Sequence, residues 1–166
     1  GRLLVAAASS VGDDGFARSE QLIKTNAVSQ QVLDDDRANA EGAKAAVAAA
    51  RAALSGPWSR LSPAARGEIL MRASRLIAER AARFAVVETL DSGKRLAEAE
   101  GDVGGVVKAF AYYAGAADKL HGDSMPLGPD HVGLTIEEPV GVAAQIVPWN
   151  YPLSTAARGI APALAA

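Results

Sequence analysis

Residues 138–152 read EPVGVAAQIVPWNYP and join an apolar run to a pair of closely spaced prolines. The first half is rich in Val, with one Ile, which is the composition of a strand buried on both faces of a sheet. Pro148 and Pro152 each fix φ and lack a backbone N–H, so the second half is a rigid turn. We therefore predict a buried strand over residues 140–147 and a stiff turn that presents the amide side chain of Asn150.

The bulk composition describes an ordinary globular protein. The chain has 166 residues, of which 49% are hydrophobic and 22% charged, enough for one domain with a sizeable core. A formal net charge of -2 gives no general attraction to nucleic acid or to an anionic membrane. No apolar run reaches the roughly 18 residues of a membrane span. We predict a cytoplasmic protein with neither nucleic acid nor membrane as a partner.

Thiol and metal chemistry have little support in these residues. The sequence has no cysteine, which excludes disulfides, thiolate ligands and a cysteine nucleophile within these 166 residues. His121 and His131 do not stand in a metal-ligand spacing. Residues 34–37, Asp-Asp-Asp-Arg, suggest a divalent cation, but three consecutive side chains do not converge in a strand or a helix. A solvated loop is the favoured interpretation, and we predict no metal site.

The pattern from residue 41 to residue 119 predicts three helices. The first begins near Glu41, carries Ala43, Val47, Ala50 and Leu54 on one face, and ends at Gly56-Pro57. The second begins at Ser62-Pro63, an N-cap followed by a first-turn proline, and ends where Gly93 takes a left-handed conformation. The third runs from about Arg95 to Lys119, with an apolar stripe formed by Leu96, Val103, Val107, Phe110, Ala114 and Ala117.

Gly101, Gly104 and Gly105 interrupt the third helix and allow two interpretations. A dinucleotide-binding loop needs its glycines after a strand and at the start of a helix. These glycines lie inside a helical stripe, so close packing against another helix is the favoured interpretation.

Beyond residue 122 the pattern becomes extended. Val132, Leu134 and Ile136 alternate with other residues, as in a half-exposed strand. A final helix begins near Leu153, and Pro162 is predicted to kink or restart it. The order of strand, turn and helix is that of an α/β protein at the start of an open parallel sheet. Ligands bind such sheets at the carboxyl ends of the strands, where Asn150 would lie.

Residues 138–166, EEPVGVAAQIVPWNYPLSTAARGIAPALAA with the preceding Glu137, resemble the aldehyde dehydrogenase superfamily. The family pattern there is E-P-V-G-V, two residues, Q-I, an aliphatic residue, P-W-N, an aromatic residue and P-L, followed by A-P-A-L-A-A. Residues 46–54, 88–103 and 112–126 also resemble the family's helices. Residues 1 to about 25 carry no matching motif.

The resemblance implies an α/β fold, the N-terminal part of a Rossmann-like cofactor domain with an extended oligomerisation arm. On this basis we divide the chain into a poorly matched region over residues 1–40 and a helical part of the cofactor domain over residues 41–121. The extended arm covers residues 122–139, and the first core strand, the turn and the following helix cover residues 140–166. A homo-oligomer, a dimer or a tetramer, is the assembly that the resemblance implies for the complete enzyme.

The resemblance also implies an activity. Members of the family oxidise aldehydes to carboxylic acids with NAD or NADP, through a cysteine thiolate that adds to the carbonyl and a glutamate that activates water. The asparagine of Pro-Trp-Asn donates its side-chain N–H to the resulting oxyanion, which gives Asn150 a catalytic role. The residues before it line the cofactor site in the family, and they correspond here to Ile146, Val147, Pro148 and Trp149.

The family's nucleophilic cysteine, its glutamate base and its ribose-binding residues follow the Pro-Trp-Asn segment, and none is present in these 166 residues. We therefore expect the chain to be an N-terminal fragment, inactive on its own, of an enzyme with this activity. Two alternatives remain open. One is a non-catalytic helical interaction or oligomerisation module, and the other is a relative that makes acyl thioesters of coenzyme A or reduces acyl phosphates.

Overall fold

The structure is a computed structural model that describes residues 20–21 and 30–166. Most of the region over residues 1–40, including most of the stretch without matching motifs, therefore lies outside the described residues. The described chain forms two compact units. The first contains residues up to Arg60 together with Gly141–Ile146, and the second contains Leu61–Val140 and Val147–Ala166.

The first unit is built on helix α1, Gln30–Leu54, followed by a short 3-10 helix, Trp58–Arg60. The predicted start at Glu41 is wrong, and so is the predicted loop of aspartates at residues 34–36, which lies inside α1. The Gln30 amide donates to Asp34 Oδ1 at 3.1 Å, one turn along, which gives the first aspartate a partner on the helix surface. The predicted end before Gly56-Pro57 is confirmed.

The apolar face predicted for α1 is weakly covered. Val47 is 39% exposed and Leu54 46% exposed, whereas Ala40 is buried. The 3.6-residue period therefore predicted the helix but not the residue that it buries.

The second unit contains four longer helices, one 3-10 helix and a two-stranded sheet. In chain order these are α2 (Pro63–Glu79), α3 (Ala81–Ser92), α4 (Leu96–Ala116), a 3-10 turn (Ala117–Lys119), β1 (Ser124–Pro126), β2 (Val132–Leu134) and α5 (Pro152–Ala165).

Helices α2 and α3 replace the single helix predicted between Ser62 and Gly93. The start is as predicted, since the Ser62 hydroxyl accepts from the Ala65 N–H at 3.2 Å. The end is also as predicted, since Gly93 has φ 72° and its N–H donates to the Thr89 carbonyl at 2.9 Å. The prediction of one continuous helix is wrong. Arg80 leaves the helical region with φ -112° and ψ 16°, and its N–H donates to the Ile77 carbonyl, three residues back.

The main core of this unit lies among α2, α4 and α5. Leu70, Val106 and Phe110 are its large members, and small side chains complete it: Ala114, Ala117, Ala157, Ala161 and Ala165. A second cluster of Ala85, Ala99 and Val103 joins α3 to α4. The buried Ser74 hydroxyl of α2 donates to the Val107 carbonyl of α4 at 2.8 Å, which satisfies a polar group inside the contact.

Close helix packing occurs at Gly67 of α2. A Cβ on Gly67 would lie 2.5 Å from the carbonyl oxygen of Ala114, so α2 and α4 approach to a distance that only glycine permits here. The packing predicted for Gly101, Gly104 and Gly105 is wrong. These three glycines do lie inside α4, but they are exposed, and a Cβ at each would meet nothing within 4 Å.

Strands β1 and β2 form an antiparallel hairpin in which Met125 faces Gly133. Gly128, with φ 129°, lies in the connecting turn. The predicted half-exposed strand is shorter than expected and buries little, since Val132 and Leu134 are each 70% exposed and Ile136 is 80% exposed.

The buried strand predicted for residues 140–147 is absent. The segment has no regular secondary structure, Val140 is fully exposed, and Ile146 is 79% exposed. A strand buried on both faces needs neighbouring strands, and the described residues provide none for this segment. The final helix forms as predicted and continues through Pro162 without restarting.

Candidate functional site

The Pro-Trp-Asn segment forms a turn at the N-terminus of α5. Trp149 and Asn150 lie in the turn, Tyr151 precedes the helix, and Pro152 occupies its first position, where the missing N–H costs nothing. The Tyr151 carbonyl accepts from the Thr155 N–H at 3.0 Å, which joins the turn to the first turn of α5. The predicted turn is confirmed, and the buried face of α5 anchors it.

The sequence-predicted site residues lie mostly on the surface. Asn150 and Pro148 are exposed, Val147 is half-buried, and Trp149 is 79% exposed. An exposed carboxamide on a proline-bounded turn has donors available for a reacting oxygen.

The exposure of these residues also decides which side chains a dinucleotide cofactor could contact. Ile146 and Trp149 are each 79% exposed, so apolar side chains are available to a planar ring. Gly101, Gly104 and Gly105 lie within α4 and form no phosphate-binding loop. Trp149 therefore offers an apolar surface that a dinucleotide ring could contact, and the glycines of α4 offer no loop for its phosphates.

A buried charge cluster lies beside this turn. The Lys94 ammonium donates to Glu88 Oε1 at 2.8 Å and to Asp102 Oδ2 at 2.5 Å. The same ammonium lies 4.4 Å from the centroid of the Tyr151 ring, within cation–π range. The Lys94 side chain is 10% exposed and the Glu88 side chain 2% exposed. One cation thus joins the end of α3, the start of α4 and the residue next to Asn150.

The cluster favours the charged form of Lys94. Burial acts to lower the pKa of Lys94, but the hydrogen bonds to Asp102 and Glu88, together with their negative charges, outweigh it, and the pKa lies above its ordinary value. Lys94 is therefore a fixed positive charge at neutral pH.

Burial of the Glu88 carboxylate depends on the neighbouring Lys94 ammonium. Its second oxygen, Oε2, is buried and has no hydrogen-bond partner among the described residues, and the same holds for the neighbouring Thr89 hydroxyl. A buried carboxylate with one satisfied oxygen is costly unless a cation stays beside it.

No sequence pattern predicted this cluster. Lys94 follows the helix-ending Gly93, and its two carboxylate partners are six residues before it and eight residues after it. Neither spacing belongs to one helix, so only the packing of α3 against α4 brings the three charges together.

Residues 20–21 and 30–166 contain no group of three or more His, Cys, Asp or Glu side chains placed to hold a metal ion. No helix in this described part is long and apolar enough to cross a lipid bilayer.

The turn, the helices and the sequence around them have counterparts in known proteins. The model of the aldehyde dehydrogenase family matches residues 17–166. The chain belongs to the aldehyde dehydrogenase family. The match confirms the resemblance drawn from residues 138–166 and begins upstream of the motifs on which that resemblance rested.

Individual relatives agree with the family. Betaine aldehyde dehydrogenase of Bacillus subtilis is 47% identical over 129 residues, which are 76% of this chain and 26% of that protein. A betaine aldehyde dehydrogenase from Staphylococcus aureus, solved in complex with NAD+, superposes with a TM-score of 0.72 at 43% identity, over 75% of this chain and 25% of that one. An NAD-dependent aldehyde dehydrogenase from Sinorhizobium meliloti gives a TM-score of 0.70 at 39% identity, over 72% of this chain and 24% of that one.

The likeness to solved structures confirms the α/β fold class and the helix-rich N-terminal part of the aldehyde dehydrogenase fold. The chain spans about a quarter of the length of the curated relatives that it matches.

Proposed function

We propose that this chain serves an NAD(P)-dependent aldehyde dehydrogenase, in which it presents Asn150 to the reacting carbonyl. The observation that carries the proposal is the family match across residues 17–166, which includes the Pro-Trp-Asn turn. The reaction oxidises an aldehyde to a carboxylic acid. The nucleophile and the general base come from outside these 166 residues, which contain no cysteine.

The role of Asn150 is to stabilise negative charge on the substrate oxygen. When the nucleophile adds to the aldehyde, the carbonyl oxygen becomes an oxyanion, and the Asn150 side-chain N–H donates to it. Pro148 and Pro152 restrict the backbone on both sides of the donor, so little reorganisation is needed when the charge develops.

Ile146, Val147, Pro148 and Trp149 are the residues that would hold the dinucleotide. The exposed apolar side chains of Ile146, Pro148 and Trp149 are suited to planar ring systems, and the S. aureus relative is solved with NAD+. When bound, the dinucleotide supplies the hydride acceptor.

A second candidate is a non-catalytic oligomerisation module. It is favoured by the apolar residues that the hairpin and the segment after it leave in solvent, since exposed apolar patches mark interaction surfaces. Val132, Leu134, Ile136 and Val140 are each at least 70% exposed. The two candidates are compatible in a complete homo-oligomeric enzyme and differ only if the chain functions alone.

The gene sequence beyond codon 166 separates the candidates. A following domain with a cysteine nucleophile supports the enzyme, whereas a stop codon and a stable soluble product support the module. The complete gene product is then assayed for NADH formation with aldehydes, as wild type, Asn150→Ala and the surface control Arg95→Met.

We expect Asn150→Ala to lower turnover by about 100- to 1,000-fold and Arg95→Met to leave it unchanged. Unchanged turnover in Asn150→Ala would refute the catalytic role of Asn150. Product analysis with and without coenzyme A and phosphate distinguishes hydrolytic oxidation from the acyl-transferring and acyl-phosphate-reducing alternatives.

A further inference from the structure

We propose that Lys94 is a positioning residue, which holds the Tyr151 ring and thereby the turn that carries Asn150. The proposal rests on the proposed function for its catalytic meaning, but its structural content concerns only residues of the second unit.

The first step of the argument is that Lys94 is itself held in place. Two carboxylates, Glu88 at the end of α3 and Asp102 in the second turn of α4, accept hydrogen bonds from its ammonium. α3 and α4 also share the buried cluster of Ala85, Ala99 and Val103. A long lysine side chain normally has great rotational freedom, but here both its ends are fixed.

The second step is that the lysine contacts the turn. Its ammonium lies 4.4 Å from the centroid of the Tyr151 ring, and the side chain is 10% exposed, so water screens the attraction little. Tyr151 is 52% exposed and precedes α5, so this contact holds a residue whose remaining surface meets solvent.

The third step is that Tyr151 is adjacent to Asn150. Trp149 and Asn150 are exposed, and no core residue covers them. The turn is therefore fixed from two sides, by α5 through the Tyr151 carbonyl and by α3 and α4 through Lys94 and the Tyr151 ring. Without the second contact, the turn can pivot about the end of α5.

The test uses nuclear magnetic resonance on the 166-residue chain. Backbone order parameters of Trp149, Asn150 and Tyr151 are measured in wild type, Lys94→Met, Lys94→Arg and the matched control Arg95→Met. Arg95 is the next residue, and its exposed guanidinium pairs with exposed Glu98 on α4, so its loss removes a cation without touching the turn.

We expect order parameters near the rigid value of about 0.85 in wild type, Lys94→Arg and Arg95→Met, and below about 0.6 in Lys94→Met. We also expect the ε-methylene protons of Lys94 to resonate upfield of those of other lysines because they lie over the Tyr151 ring. Tyr151→Leu should abolish that displacement, and Tyr151→Phe should retain it.

Lys94→Met leaves Glu88 without its cation and can fail to fold. Tyr151→Leu provides the second test, because it leaves the charge cluster intact and removes only the ring, and it should also lower the three order parameters. Wild-type order parameters in either Lys94→Met or Tyr151→Leu would overturn the proposal.

Neither measurement depends on turnover. If Asn150→Ala retains activity in the complete enzyme while the order parameters behave as expected, the proposed function fails and the positioning of the turn stands. If Asn150→Ala loses activity but the order parameters do not change, the proposed function stands and the role of Lys94 fails.

Discussion

Lys94 is a cation with a tenth of its side chain in solvent, and two carboxylates and an aromatic ring surround it. Burial of the ammonium costs free energy, and the hydrogen bonds to Glu88 and Asp102 offset that cost. The direction of the pKa displacement, upward, indicates that the partners outweigh the burial.

A pKa raised in the folded state gives a defined dependence of stability on pH. The stabilisation from Lys94 is fully present below its ordinary pKa of 10.5 and is lost as the pH rises through the higher folded value. We expect the free energy of unfolding, measured with urea between about pH 9 and about pH 12, to fall more steeply in wild type than in Lys94→Arg, because arginine keeps its charge there. Parallel curves for the two proteins would contradict this expectation.

Ser62 gives a prediction at the start of α2. Its hydroxyl accepts from the Ala65 N–H, so Ser62→Ala should lower the free energy of unfolding by about 1 kcal/mol. Ser62→Asp keeps an acceptor at the same position and should retain most of the stability. Equal denaturation midpoints for Ser62→Ala and wild type would show that the cap contributes nothing.

The roles of single residues could be predicted where they depend on sequence neighbours and could not where they depend on distant residues. The N-cap at Ser62 and the left-handed Gly93 depend on the few residues around them, and both were predicted correctly. The partners of Lys94 could not be predicted, since they come from two helices whose packing is not encoded in a short window.

Helices α2 and α4 approach closely at Gly67, and this contact gives a prediction at the scale of elements. Gly67→Ala places a Cβ 2.5 Å from the Ala114 carbonyl oxygen, and we expect the free energy of unfolding to fall by about 1–3 kcal/mol or more.

Gly104→Ala is the matched control, because Gly104 is exposed within α4 and a Cβ there meets nothing within 4 Å. We expect it to raise the free energy of unfolding by about 0.5–1 kcal/mol, through the better helix propensity of alanine. Urea denaturation measures the free energy of unfolding of both variants and of the wild type. A loss of stability in Gly104→Ala would mean that α4 packs against something at this position.

Among the elements, the helices were predictable and their interruptions were not. Apolar periodicity indicated α4, and a final helix was predicted from about Leu153. The break at Arg80 was not predicted, because the sequence from Glu68 to Ser92 contains no glycine or proline. The segment over residues 140–147 has the composition of a buried strand, yet composition cannot supply the neighbouring strands that a sheet requires.

At the scale of the whole molecule, the proposed site consists of one hydrogen-bond donor, the side chain of Asn150, on a turn. The 166 residues contain no cysteine to act as the nucleophile. The site residues Ile146, Val147, Pro148, Trp149 and Asn150 were identified through the family resemblance, and their roles stay predictions. The rigid turn itself could be predicted from the sequence, because Pro148 and Pro152 define it. The charge cluster beside it required the folded chain.

The 166-residue chain is expected to form no NADH from aldehydes and NAD(P), because it contains no cysteine to add to the carbonyl. The measurement is the absorbance of NADH with purified chain at high concentration, and the complete gene product serves as the positive control. Turnover by the chain that disappears in Asn150→Ala would show that these residues catalyse by another route.

The enclosure of the Lys94 ammonium also has a consequence for chemical reactivity. An amine acylates only as its neutral form, and a raised pKa together with low exposure makes that form scarce and hard to reach. Lys119, whose side chain is 69% exposed, is open to reagents. Timed acetylation followed by mass spectrometry should therefore modify Lys94 last among Lys44, Lys94, Lys108 and Lys119, and its labelling rate would report each opening of the contact between α3 and α4.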